Sequence, residues 1–256
     1  MRRLPKSDFC DLKSQGAYSP CDFINSALQK GLESLVFELP NNEAEKQRLI
    51  SLREEYKGRL EILFAEVGEK SRRDADPLCD LLIGEVQTLN LGRVVVPVPK
   101  NADELYEAAK HVGLRFYHMA QLYHEATASL PKRTGCDMVR LKDLNAIWNC
   151  DRQMFDENNF LYLNPLTMCI DRLILSDTVL EVRTMPRKKG NPAIRYPDLY
   201  ALRRVAGQRM RVMLSSGSDH PDQLCASFRE ALLQLRACGI GSVYYPKERD
   251  WAQLSF

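Results

Sequence analysis

The feature that most constrains this chain is an alternation. Short apolar runs of strand character recur between amphipathic stretches of helical period along its whole length. Strand candidates are Phe9–Leu12, Ser34–Leu39, Leu60–Val67, Leu81–Gln87, Met138–Leu141, Thr178–Arg183, Val212–Ser216 and Gly241–Tyr245. Helix candidates lie between them at Cys21–Lys30, Asn42–Lys57, Ala102–Thr127, Pro165–Leu175, Pro197–Ala206 and Pro221–Ala237. Strand-then-helix units in series build a parallel sheet with right-handed crossovers. The 256 residues contain no Ser- or Gly-rich linker, no low-complexity tract and no internal repeat, so one α/β domain over 1–256 is expected. At this length, closure of the sheet into a distorted TIM-like (β/α)7 barrel is favoured.

Composition narrows the function classes. Lys and Arg total 36 against 34 for Asp and Glu, and a net charge of +2 gives no field that demands nucleic acid or an anionic membrane. The N-terminal Met1–Lys6 is charged but has no apolar stretch behind it, so no signal peptide is read. The longest apolar run, Val94–Val98, is broken by proline and far too short to span a bilayer. Eight cysteines are scattered without a C-x-x-C pair, which predicts free thiols in a cytoplasmic protein. Walker A, G-x-G-x-x-G, G-x-S-x-G and H-E-x-x-H are all missing.

In such barrels the chemistry sits at the C-terminal ends of the strands. The first strand runs into Asp11-Leu12-Lys13-Ser14-Gln15-Gly16-Ala17-Tyr18-Ser19, the second into Phe37-Glu38-Leu39-Pro40, and the third carries Phe64-Ala65-Glu66-Val67-Gly68. Then come Ile83-Gly84-Glu85-Val86-Gln87, Asp137-Met138-Val139-Arg140-Leu141-Lys142-Asp143-Leu144 and Leu180-Glu181-Val182-Arg183-Thr184. The last is Gly217-Ser218-Asp219-His220-Pro221.

From about Asp8 to Phe256 this series resembles the PHP (polymerase and histidinol phosphatase) superfamily, in its histidinol-phosphatase branch. That family presents D-x-H-x-H-x-x-Y-S, F-T-D-H, a G-x-E strand, I-G-S-x-H, D-x-x-G-H-x-D-L, L-E-I-N-T and G-S-D-A-H in this order. The resemblance implies the PHP barrel, with histidines and carboxylates holding divalent metals that activate water against a phosphate ester. The metal-ligand positions are largely replaced. They fall on Lys13, Gln15, Leu39, Pro40, Gln87, Leu141 and Pro221, with only Glu66 and Asp219 retained and His220 displaced by one residue. A catalytic metal needs at least three protein donors, and Leu, Pro and Lys supply none. No resident cofactor is therefore expected; if any, it is one divalent cation at Glu66 and Asp219.

The remaining candidates each have a plain alternative. Lys13 pairs with Glu66 or Asp219 in place of metal. His220 is a general acid or a loop cap. Lys13, Arg183, Arg187, Lys188 and Lys189, with Arg195 nearby, form an anion site or a solvated basic loop. Arg140 and Glu181 pair inside the barrel. His111, His118 and His124 fall in one helix as surface or satisfied residues, and Phe116, Tyr117 and Tyr123 are core rather than a stacking platform. The leading expectation is a PHP-type barrel without metal-dependent phosphoesterase activity, binding a phosphorylated small molecule or a partner protein. One alternative is a phosphoesterase of histidinol-phosphatase type with a one-metal site of Glu66, Asp219 and His220. Another is an RNA-associated scaffold like the p30-type ribonuclease P subunit, against which the low net charge stands.

Overall fold

A computed structural model describes residues 5–10, 18–149, 153–184, 193–208, 210–248 and 250–256, with the backbone alone at 9 and 10. The first third of the chain alternates β1 (Ser7–Cys10), α1 (Pro20–Gln29), β2 (Ser34–Glu38), α2 (Glu43–Glu55) and β3 (Glu61–Gly68). The middle follows with β4 (Leu81–Gly84), a small hairpin of β5 (Thr88–Asn90) and β6 (Val95–Pro97), α3 (Ala102–Ala109), α4 (Phe116–Thr134), β7 (Met138–Val139), α5 (Leu144–Trp148) and α6 (Phe160–Ile174). The last third holds β8 (Val179–Thr184), β9 (Ile194–Tyr196), α7 (Leu199–Val205), β10 (Arg211–Ser215), α8 (Phe228–Ala237), β11 (Ser242–Lys247) and β12 (Asp250–Ser255).

Seven strands lie in the order β1-β2-β3-β4-β7-β8-β10, each parallel to its neighbours, and β9 adds antiparallel to β8. The expected α/β barrel is what forms, nearly closed between β1 and β10. Asp8, fully buried, stitches that seam. Its carboxylate accepts from the Ser216 amide (2.7 Å), the Ser216 hydroxyl (2.6 Å) and the Cys225 amide (2.6 Å).

Side chains alternate across the sheet, so each strand feeds two cores. Val36, Leu63, Ala65, Ile83, Met138, Val179 and Met213 fill the barrel interior. On the outside, Leu35, Phe37, Ile62 and Phe64 pack on α1 and α2 through Phe23, Ile24 and Leu49. Leu180, Val182, Val212 and Leu214 face a larger helix layer that contains Tyr123, Trp148 and Leu166. The β11–β12 hairpin covers the end where the strands begin. The Pro246 carbonyl accepts from Ser34 Oγ (3.0 Å), the Glu248 amide bonds Glu61 (3.0 Å), and Trp251 packs on the interior cluster. That leaves the strand C-termini as the mouth.

The expected strand Gly241–Tyr245 is not in the parallel sheet but pairs antiparallel with β12, and three expected helices differ. The helix expected over Ala102–Thr127 is two, because Gly113 and Leu114 take left-handed φ values of 68° and 58° after a single 3-10 turn. His111 falls in that turn, and only His118 and His124 share α4. The last helix begins at Phe228 rather than Pro221; a 3-10 turn at Pro221–Gln223 precedes it, and Cys225 and Ser227 both have positive φ. The helix expected from Pro165 starts five residues earlier, capped by the Asn159 side chain on the Leu161 amide.

Candidate functional site at the barrel mouth

Residues two apart on a strand share a face, so the interior cluster fixes which side chains enter the mouth. Above Val36 comes Glu38; above Ile83, Glu85; above Met138, Arg140 and then Lys142; above Val179, Glu181 and Arg183. Of these inward side chains, Glu85, Arg140, Lys142, Glu181 and Arg183 form one ion-pair network. Arg140 Nη1 donates to Glu85 Oε2 (2.5 Å), while its Nε and Nη2 both reach Glu181, Nη2 at 3.3 Å. Lys142 Nζ lies 2.5 Å from Glu85 Oε1, and Arg183 Nη1 lies 3.8 Å from Glu181 Oε1. The Glu181 side chain is 0% exposed and that of Arg140 8%. Tyr196, opposite Arg183 in register on β9, is buried beside them.

Backbone geometry holds the cations in place. The Lys142 amide donates to the Tyr123 hydroxyl (2.9 Å), which ties the segment after β7 to α4. Arg183 Nη2 donates to the Gly217 carbonyl (2.6 Å). Gly217 has φ +51°, and a Cβ there would sit 1.7 Å from Arg183 Cζ, so the guanidinium lies where a side chain would be.

The electrostatics follow from the packing. Burial alone would raise the Glu85 carboxyl, but Arg140 and Lys142 outweigh it and bring its pKa down to about 2. Burial likewise opposes the Glu181 carboxylate, yet Arg140 and Arg183 hold it below the usual range. Arg140 loses to burial and gains more from Glu181, so its pKa is driven well above that of a free guanidinium. Burial pushes the Tyr196 hydroxyl up, keeping it a neutral phenol.

The expected pairing of Arg140 with Glu181 is present. The trio Glu66, Asp219 and His220 is not brought together. Glu66 shares its face with Ile62 and Phe64, outside the barrel beside α2, where its Oε1 accepts from Lys70 Nζ (3.2 Å) and the Asp76 amide (3.1 Å). Asp219 is exposed. His220 serves as a loop cap: Nδ1 accepts from the Asp222 amide (3.2 Å), leaving Nε2 2.6 Å from the Tyr18 hydroxyl. Leu39 and Leu141 also belong to the outer cores, Pro40 lies two residues past β2, and Gln87 lies over Gly68. Pro221 is buried, its carbonyl accepting from Ser26 Oγ (2.7 Å). Lys13, Gln15, Arg187, Lys188 and Lys189 lie outside the described residues. Sequence reasoning passed over Glu38, Glu85 and Lys142; the signal for them is the period of two counted from the interior apolar residues.

No family model matches the chain, and a search of curated proteins returns no match. Among solved structures, the histidinol phosphate phosphatase of Lactococcus lactis, solved with zinc, L-histidinol and phosphate, superposes with a TM-score of 0.69. The match covers 98% of this chain and 100% of that one, at 16% identity. The chain shares the barrel fold of that phosphatase. At that identity the likeness speaks for architecture only. The N-isopropylammelide isopropylaminohydrolase of Burkholderia multivorans matches at 12% identity over 85% of this chain and 56% of that one, and its TM-score of 0.39 adds nothing to the assignment.

The PHP resemblance implies a metal cluster held by histidines and carboxylates at the strand ends. Among the described residues no group of three or more His, Cys, Asp or Glu side chains is placed to hold a metal ion. Glu85 and Glu181, the carboxylates deepest in the network, already have guanidinium and ammonium partners.

Proposed function

We propose that this barrel is a binding module without metal-dependent phosphoesterase activity, whose mouth takes a phosphorylated small molecule. The observation that carries the reading is the Glu85–Arg140–Glu181–Arg183 network with Lys142. It places fixed positive charge among the inward carboxylates at the strand ends, where a metal-dependent barrel enzyme needs open donor lone pairs. Lys142 and Arg183 are its outermost cations, with side chains 25% and 12% exposed. Arg183 is held in place by the Gly217 carbonyl, so its guanidinium meets an incoming phosphate with less loss of side-chain freedom. Lys13, Arg187, Lys188 and Lys189, outside the described residues, belong to the proposed anion site as candidates from the sequence alone.

The test is a calorimetric titration with inorganic phosphate and with histidinol phosphate, run beside an assay of phosphate release with and without chelator. The reading expects saturable binding that weakens about tenfold in Arg183→Met, the size of one lost charge-assisted hydrogen bond, and no release above background. Turnover that a chelator abolishes would overturn it in favour of a metal-dependent phosphoesterase.

A further inference from the structure

Eleven large apolar residues are exposed among the described residues, and six of them stand on two adjacent helices. Phe160 (71%), Leu161 (56%) and Met168 (49%) lie on α6, Leu175 (88%) caps it, and Leu199 and Tyr200 open α7. The two helices are tied to one another: Thr167 Oγ1 meets the Tyr200 hydroxyl at 2.6 Å, and Arg204 bonds Asp171 at 2.8 Å. On its other side α6 forms with α4 a cleft of about 160 Å³ whose walls include Leu161, Asn164, Met168, Arg172, Gln121 and Glu125. A concentration of this kind marks an interaction surface rather than scattered surface apolarity.

We infer that this face pairs with a second copy of the chain, α6 against α6 in antiparallel orientation, about a two-fold axis at Met168. The spacing selects this occupant. Leu161, Met168 and Leu175 are seven residues apart, which keeps them on one side of the helix, the interval of a helix-pairing seam. They are also symmetric about Met168. Antiparallel pairing sets Leu161 against Leu175 of the second copy, Met168 against itself, and Asn164 against Arg172, four residues to either side of the axis. Apolar meets apolar, and an amide meets a guanidinium. A self-complementary patch is what a two-fold interface requires. The seam from Phe160 to Leu175 is about 24 Å long at 1.5 Å per residue. With α4 and α7 roughly 10 Å to either side, the face covers on the order of 500 Å², below the ~800 Å² per partner of a standard interface. A face of that size suits a weak, reversible dimer.

The experiment is sedimentation velocity on the full chain from about 1 to 100 μM, a span that brackets a micromolar Kd. Wild type, Met168→Glu, Met168→Lys and an equimolar mixture of the two variants are compared. Wild type is expected to pass from monomer to dimer across the range. Each variant alone, with like charges meeting at the axis, weakens pairing about a hundredfold, and the mixture recovers the dimer. Recovery is specific to a two-fold at Met168. Met168 is half exposed, so far-ultraviolet circular dichroism that matches wild type confirms folding. Wild type that stays monomeric throughout overturns the inference, including when it gains mass only on adding a different protein. A dimer indifferent to both variants overturns it as well.

Discussion

Replacing Arg140 by methionine removes the one side chain among the described residues that bonds both Glu85 and Glu181. Glu181 is then a fully buried carboxylate whose remaining cation, Arg183, stands 3.8 Å away. Taking one partner from a buried ion pair costs about 3–5 kcal/mol, because the other charge stays desolvated. For a chain of this size each kcal/mol moves Tm by roughly 2–4 °C, so the variant should melt about 10 °C lower. The second variant decides the cause. Arg140→Met with Glu181→Leu removes charge from both sides, and such exchanges are often close to neutral, so most of the loss should return. The assay is urea denaturation followed by circular dichroism at pH 7. A single variant costing under about 1 kcal/mol, or a double variant no more stable than the single, would refute the reasoning, since uncompensated burial is its only source.

The same network fixes a pH dependence. Glu85 titrates at about 2 in the folded chain against an ordinary 4.5, so its contribution is fully present above 4.5 and is lost as pH falls toward 2. That difference corresponds to about 3 kcal/mol, and the acid slope of stability between these values should flatten in Arg140→Met. Gly217→Ala should lower stability by about 1–2 kcal/mol from the φ of +51° alone, and should weaken phosphate binding by displacing Arg183; unchanged calorimetric affinity would refute that link. Asp8→Ala removes the acceptor of three hydrogen bonds at the β1–β10 seam, a loss of about 3 kcal/mol. Hydrogen exchange should then accelerate first at the Ser216 and Cys225 amides. His124 is buried between Tyr123 and Tyr162, has no hydrogen bond at either ring nitrogen, and has its pKa brought down to about 3 by burial. Its neutral form is favoured in the fold, so it costs stability as pH falls from 6.5 toward 3. His124→Leu should raise stability by about 1–2 kcal/mol at pH 7 and by more at pH 5, which thermal melts at the two pH values check.

The barrel was legible because its evidence is redundant. Alternating runs such as Ser34–Leu39 and Leu60–Val67 are too apolar for anything but buried parallel strands, and an error of a residue or two at their ends leaves the topology unchanged. The mouth is less forgiving, since a shift of one residue moves a side chain to the other face of the sheet. Aligning motifs by strand ends put Leu39, Glu66 and Leu141 at the site, and the structure turns Glu66 toward α2 and both leucines toward the helix layer. Glu38, Arg140 and Lys142, each one position from one of those leucines, and Glu85, two positions before Gln87, are the residues that face inward. Counting by twos from Val36, Ile83 and Met138 would have found them. His124 escaped for a different reason: a histidine on an apolar helix face usually finds a partner, and no sequence pattern distinguishes the one that does not.

The proposed function has ion pairs in place of metal ions at the barrel mouth. Elemental analysis by mass spectrometry tests it on protein saturated with zinc, manganese and iron(II) in turn and then freed of excess ion. Substoichiometric metal in every case, equal in wild type and in a Glu85→Gln, Glu181→Gln double variant, is the predicted result. Two or more equivalents retained by wild type and lost in that variant would contradict it.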